Sequence, residues 1–539
     1  MAETERRSSL YALEPLIKRW PAVTKPEGHV SFKTKLMWTT GCLLLYFMLS
    51  NIPLWGVSEQ QLDIFAGFRA ILAGSSGSLM HLGIGPIVTG SIVMQLFTGA
   101  KIIKLDLTKD EDKAIYQGAQ KIMVLLFIFI EAIPQVFGFL TPSGMEPGAP
   151  AGSGLAGEVG AFGASSIVVG QLALGAIIVF LMDELISKWG IGSGISLFIA
   201  AGVSQALFQG SLSWEPANHQ QFGYDYNPYS NPPVGSIPMF FYVFAQRDLG
   251  SLVGSPNDLE NGFESVFIGG PAFPNPLITF VGTIAIFLFV VYAEATRIEL
   301  PLAHGKVRGA RGRYPLRLIY ASNIPVILMA ALLANVNIFS LLLWQHGTFS
   351  EWPVVGHQWW IGTYATGAGN TTPIAGGAWY LQQFRGLSDW FLPLIDSQRY
   401  AMNAYGHVWW QILLKIGIYL TLFIGGSIMF AKFWVDTTNM GPKQVAKQIE
   451  KSGMQIPGFR RDPRVLEKVL ERYIPTLTVI GGITVGALAA LADMIGTVGQ
   501  ATGTGLLLCV GIFMRMYEQI AKEQVMEMHP VLRGFFGAE

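Results

Sequence analysis

Read for hydrophobicity, the chain is a series of membrane-length apolar runs separated by polar segments of two contrasting kinds. The runs fall near residues 36–54, 79–103, 117–140, 165–185, 191–212, 277–296, 316–344, 407–433, 474–497 and 502–520. A helix needs about 20 apolar residues to cross a bilayer, so the pattern predicts an all-α polytopic membrane protein with ten spans. One stretch departs from it. Residues 62–72 read as a half-apolar helix carrying Arg69, too short to cross, followed by a small-residue hinge, Gly74 to Ser78. The run after the hinge is broken near its start by Gly83-Ile84-Gly85-Pro86. Broken or half-length helices leave backbone groups unpaired in hydrocarbon, and occur only where protein or a water-filled cavity covers them. A lumen inside the protein is the implication.

The polar segments sort by charge. Of the 36 Lys and Arg, 31 lie in the segments on one side of a ten-span chain. The other side holds Arg69, Arg247, Arg385 and Arg399, with Lys415 near a span end. Basic residues stay cytoplasmic during insertion, so both termini are expected in the cytoplasm. The outer loops 213–276 and 345–405 are rich in Gly, Pro, Asn and aromatics and carry acids such as Glu215, Asp225, Asp258 and Glu264. Ordered caps and partly mobile segments both fit that composition. The inner loops 297–317 and 432–472 are basic, with glycines and prolines that favour projecting turns. Ahead of the first span, Leu10, Leu13, Leu16, Ile17 and Trp20 share one helical face, and Pro21 stops it. That face suits a helix lying on the membrane; a plain soluble helix is the alternative.

Composition agrees with the pattern. The 539 residues are 51% hydrophobic and 13% charged, against about 25% charged in soluble domains. The N-terminus lacks the apolar core of a cleavable signal, so the first span is expected to direct insertion. Cys42 and Cys509 suggest neither a disulfide framework nor a metal site. The glycine-rich stretches 190–194 and 499–505 sit in no strand–turn–helix unit and read as tight membrane turns, not phosphate loops. His81 has no second ligand near it in sequence. No catalytic constellation is found, and neither cofactor nor metal is expected.

Ionisable residues within the spans are scarce; Glu131 is the clearest, with Asp493 near the end of the ninth run and Asp183 and Glu184 near the inner end of the fourth. An intramembrane acid is a functional candidate by default. For Glu131 the favoured reading is a hydrogen bond across a helix seam to Thr89 or Asn335; a proton relay is the alternative. A pore without polar binding groups gates by dewetting at an aliphatic constriction, because an ion stripped of water faces an idealised Born cost of tens of kcal/mol. Gly85-Pro86 in the second span of the first five, and Asn323-Ile324-Pro325 in the second of the last five, mark matching interruptions. Such matches are the sign of an inverted repeat with its site between the halves, although membrane helices also tolerate proline without one. Three classes remain: a passive channel, an ion-coupled transporter of small solutes, and an insertion scaffold without a pore.

Several motifs then point to one family. LGIGPIVTGSIVMQL, YQGAQK, DELISKWGIGSGISLFIAAGVSQ, VVYAEATRIELPLAHGKVRGARGRYPLRLIYASNIPVIL, FWVDTT, IPGFR, RYIPTLTVIGG and RMYEQI strongly resemble the SecY family, the channel-forming subunits of the Sec protein translocon. The PLAHG and RMYEQ forms resemble the archaeal and eukaryotic-type branch. The resemblance runs from residue 15 to 530, and the 213–276 loop is the main part not matched residue by residue.

The resemblance implies ten helices in two inverted five-helix halves around an hourglass pore, hinged near the loop between spans five and six. Residues 1–212 would form the first half, 213–276 a long extracytoplasmic loop, and 277–539 the second half. A half-helix plug at about 62–74 would include Leu62, Phe65, Phe68, Arg69, Ile71 and Leu72. The pore ring would be Ile84, Val88, Ile195, Ile199, Ile327 and Leu508, with Ile324 one turn away. Thr89, Glu131 and Asn335 match a polar cluster on a lateral gate between spans two and three on one side and seven and eight on the other. Arg308, Arg311, Arg313 and Arg460 would dock the ribosome. Implied partners are a SecE-like gamma subunit, a small beta subunit, the ribosome, signal sequences and nascent chains, the signal recognition particle pathway, and membrane lipid. The implied role is a protein-conducting channel of the cytoplasmic membrane, not an enzyme.

Overall fold

The computed structural model describes residues 10–11, 14–19, 23–28, 30–57, 73–75, 77–99, 102–103, 105, 110–138, 140–145, 150, 152–215, 233–246, 267, 275–304, 311–317, 324–345, 360–364, 373–384, 386–395, 406–438, 440–451, 454–455, 463–499 and 501–528. Each of the ten predicted runs holds a helix. They are Phe32–Ser50, Gly85–Gly99, Asp110–Gly138, Gly154–Trp189, Gly194–Leu212, Leu277–Ala295, Ile324–Gln345, Trp409–Thr437, Pro463–Ile495 and Gly503–Met528, called spans one to ten below. Among the described residues, seven of these are long and apolar enough to cross a membrane on those criteria alone. Span two has only 15 residues. Span one opens on Lys33 and Lys35, and span ten runs on into Arg515, Glu518, Lys522 and Glu523.

Sequence signals set most of the ends. Ser31 caps span one, its hydroxyl accepting from the Thr34 N–H at 3.3 Å. Pro86 sits in the first turn of span two, where its missing N–H has no helical partner to lose. Span four begins earlier than its apolar run, and its helix is interrupted at Gly160, which adopts φ 77°.

Span seven departs from expectation. The apolar run starts near 316, yet Arg311–Arg317 is a strand, and the helix is described from Ile324. β1 (Arg297–His304) and β2 (Arg311–Arg317) form an antiparallel hairpin, in register from Arg297 opposite Arg317 to Ala303 opposite Arg311. The other basic inner loop adds a third strand, numbered β5 in chain order (Met454–Gln455), pairing Ala303 with Gln455 and His304 with Met454. The two inner loops, expected to form projecting turns, share one three-stranded sheet, and Pro442–Lys451 of the second is a helix. On the outer side, β3 (Thr363–Tyr364) pairs with β4 (Pro373–Ala375), and short helices follow at Gly377–Leu381 and Phe391–Ile395. This part of the 345–405 loop is an ordered cap.

The helices pack within two groups. Span two lies on three, three on four, one on four and five; eight lies on seven and nine, and ten on six and nine. Lipid supplies no hydrophobic drive between helices, so close contact at small residues carries the packing. Gly482 and Gly486 of span nine accordingly meet the backbone of Ile428 and Ile424 on span eight. The groups touch along two lines. Along the first, span two meets seven and eight, and three meets seven; along the second, spans one and five meet ten. One continuous apolar cluster joins both groups.

Candidate channel site

The site begins where span two falls short. A 15-residue helix is about 22 Å long, against about 30 Å of hydrocarbon. Irregular chain covers the remaining depth, and it is buried: Met80, Leu82 and Ile84 are at most 4% exposed. Its backbone is paired locally, with the Leu54 N–H donating to Gly77 O at 2.8 Å and the Leu79 N–H to Ile52 O at 2.9 Å. The Tyr46 hydroxyl reaches Ala73 O at 2.9 Å. Only glycine permits this path on span four: a Cβ on Gly175 would stand 1.8 Å from Leu79 O.

The six ring candidates converge in the apolar cluster. Ile84, Val88, Ile199 and Leu508 are buried within it, and Ile195 and Ile327 pack against it half-buried, as does Ile324. They come from spans two, five, seven and ten, so both contact lines between the helix groups contribute. All are aliphatic.

Two of these helices begin on acids that the sequence exposed without explaining. Asp183 of span four accepts from the Ile195 N–H at 2.8 Å, at the start of span five. Asp493 of span nine accepts from the Thr504 N–H at 3.0 Å and the Thr504 hydroxyl at 2.9 Å, at the start of span ten. Each following helix starts on a glycine pressed against the acid's own stretch. A Cβ on Gly194 would lie 2.5 Å from the Asp183 Cα, and one on Gly503 would lie 2.5 Å from the Asp493 N. The pattern of acid, glycine-rich turn and capped helix therefore occurs twice, eleven or twelve residues apart from acid to cap. The glycine turns were legible in the sequence; their service to a particular acid was not. Asp493 also accepts from Gln383 Nε2 at 2.7 Å and the Tyr419 hydroxyl at 2.8 Å, joining the outer cap and span eight. Lys415, unremarkable in sequence, is buried beneath this cap with its ammonium 4.5 Å from the Trp379 ring and 4.9 Å from Phe384.

The two lines between helix groups differ in kind. On the first, Asn335 Nδ2 donates to Thr89 Oγ1 at 3.3 Å, bridging spans seven and two. Glu131 lies beside the Thr89 hydroxyl. One carboxylate oxygen there, Glu131 Oε1, is buried without a protein hydrogen-bond partner among the described residues. On the second, backbones touch: a Cβ on Gly210 of span five would lie 2.3 Å from the Gly499 N. The Gly499 N–H donates to Asn275 Oδ1 at 2.7 Å, the Val498 N–H to Thr283 Oγ1 at 3.0 Å, and Asn275 Nδ2 to Val234 O at 2.8 Å. The first line carries a polar cluster; the second is a close backbone contact.

On the inner side, Glu184 accepts from Lys121 at 2.5 Å, Lys188 at 2.8 Å and the Val23 N–H at 3.2 Å, pinning the N-terminal segment to spans three and four. Arg311 and Arg313 lie on β2. Arg308 and Arg460 lie outside the described residues, as do the plug candidates Leu62, Phe65, Phe68, Arg69, Ile71 and Leu72. Cys42 and Cys509 are both buried and free.

Comparison with known proteins accounts for this arrangement. Residues 78–517 match the SecY family model, and residues 44–77 match that of the plug domain of Sec61p. The chain is 44% identical to the protein translocase subunit SecY of Haloferax volcanii, over 98% of this chain and 99% of that one. Among solved structures it is similar to a protein-conducting channel, with TM-score 0.72, 36% identity, and coverage of 96% of this chain and 98% of that one. It is also similar to Sec61 in a canine ribosome–channel complex from the endoplasmic reticulum, with TM-score 0.70, 36% identity, and coverage of 96% and 98%. A plug-domain match followed by a SecY match over most of the chain, with a relative 44% identical across 98% of it, means that the chain belongs to the SecY family.

Proposed function

We propose that this chain is the protein-conducting channel of a Sec translocon in the cytoplasmic membrane, with both termini cytoplasmic, and that it carries no enzymatic activity. It passes unfolded secretory chains across the membrane and releases apolar segments sideways into lipid. The observation that supports the reading is that Ile84, Val88, Ile199 and Leu508, from the chain around spans two, five and ten, are buried in one apolar cluster shared by both helix groups, where they would form the waist. Such a waist seals by dewetting and needs no binding chemistry. Ile195 and Ile327 complete the ring, and residues 62–74 form the plug that stops it from outside.

The contrast between the two contact lines supports a direction of opening. On the line with Thr89, Glu131 and Asn335 a 3.3 Å bond joins Asn335 of span seven to Thr89 of span two, and this line is the lateral gate. The Gly210–Gly499 line, bonded through Asn275 at the end of the 213–276 loop, is the pivot, so residues 1–212 and 277–539 move as halves about it. A signal sequence opens the gate only by the difference in its affinity for the open and closed states. A SecE-like subunit clamps the halves and a small beta subunit accompanies them. The ribosome, delivered with its nascent chain by the signal recognition particle pathway, docks on the sheet of β1, β2 and β5 through Arg308, Arg311, Arg313 and Arg460. That contact is with RNA phosphate and weakens with salt.

The test is a stalled secretory chain probed with cysteines placed at Ile84 and Ile199. Crosslinks from both positions are expected. A chain caught in transit that reaches neither position overturns the reading.

A further inference from the structure

The inner end of span ten carries two carboxylates that reach in different directions. Glu518 accepts from Arg297 at 2.9 Å and also from Arg317. Those two arginines face each other in register and close the base of the β1–β2 hairpin. Glu523, further along the same helix, pairs with Lys35 of span one at 2.7 Å. Arg515, one turn before Glu518, neighbours both Glu518 and Glu294 at the end of span six. The extension of span ten is thus tied to the hairpin through one acid and to the opposite half through the other. The same helix carries Leu508, about 15 Å further into the membrane by its rise per residue. While both guanidinium contacts at its base hold, a tilt of the hairpin is passed to that carboxylate.

We propose that Glu518 is a positioning residue that couples the basic hairpin to the throat helix, so that an anionic partner docked on the hairpin displaces span ten. The inference rests on the channel reading above. Arg297, Arg317 and Glu518 are each more than a third exposed, so the contact contributes little to stability. Its effect is geometric: it decides whether displacement of the hairpin reaches Leu508.

The test uses the assembled complex in proteoliposomes, reading ribosome binding by co-flotation and ion conductance with and without bound ribosomes. For Glu518→Gln, ribosome affinity and ribosome-free conductance should stay at the wild-type level. Ribosome-bound conductance should fall about fivefold, the most that exposed ion pairs of this strength supply. The double variant Arg297→Gln/Arg317→Gln, which leaves the acid intact, should show the same lower conductance per bound ribosome, and Glu518→Asp should recover part of it. Wild-type ribosome-bound conductance in both uncoupled variants overturns the proposal. So does a loss of ribosome affinity by Glu518→Gln that accounts for the whole effect, since the acid then serves docking. Absence of ribosome-bound conductance in the wild type itself would instead sink the channel reading.

Discussion

Replacing Asp493 by alanine tests how the throat helix is held. The side chain is 1% exposed and accepts four hydrogen bonds, from Gln383, Tyr419 and twice from Thr504. Hydrogen bonds between membrane helices average about 0.6 kcal/mol, so four lost bonds cost about 2.4 kcal/mol. The Thr504 N–H and the Gln383 amide cannot turn to other acceptors as hydroxyls can. Buried donors left unmatched cost about 1–3 kcal/mol each, which raises the expected loss to about 4 kcal/mol. Tyr419→Phe removes one bond and leaves three, so about 0.6 kcal/mol is expected there. Large membrane proteins unfold irreversibly, so the measurement is the unfolding half-life of the purified complex in detergent at fixed temperature. At about 1.4 kcal/mol per decade, Asp493→Ala should shorten it by two to three orders of magnitude and Tyr419→Phe by less than one. Because Leu508 lies one turn beyond Thr504, closed-state ion leak should rise in Asp493→Ala as well. Equal half-lives for the two variants would refute the argument that this acid anchors span ten.

Other consequences are as direct. Replacing Ile84, Val88 and Ile199 together with glycine should raise ion leak through the resting complex in planar bilayers, and an unchanged leak counts against the waist. Gly210→Ala places a methyl 2.3 Å from the Gly499 N; overpacking of this kind costs about 1–3 kcal/mol, so thermal stability should drop, and an unaltered melting profile would contradict the close approach. Glu131→Gln should shift the ease of gate opening, read as export of precursors with defective signals, without abolishing any pH-driven flux. Loss of proton-coupled solute uptake in that variant would favour a transporter.

The sequence by itself determined the ten spans and the interruption of span two, and it predicts their orientation. These follow from local physics: apolar length against bilayer thickness, basic residues kept inside, and glycine with proline at a helix start. It also marked the acids Asp183, Glu184 and Asp493 and the glycine turns that follow two of them. Which N–H each acid would meet depended on how successive helices fold back, and only the tertiary structure decided it. The same holds for the basic loops: Arg297, Arg317 and Met454–Gln455 lie far apart along the chain, and β pairing joins them across that distance. Lys415 looked like an ordinary outer charge until the cap brought Trp379 and Phe384 over it. Periodicity reports what a residue faces, lipid or protein, and partners distant in sequence leave no trace in it. The proposed throat shows both sides of this: Ile84, Val88, Ile199 and Leu508 were named from the resemblance of their motifs to a family, while their burial in one apolar cluster that joins two helix groups was decided by the tertiary structure.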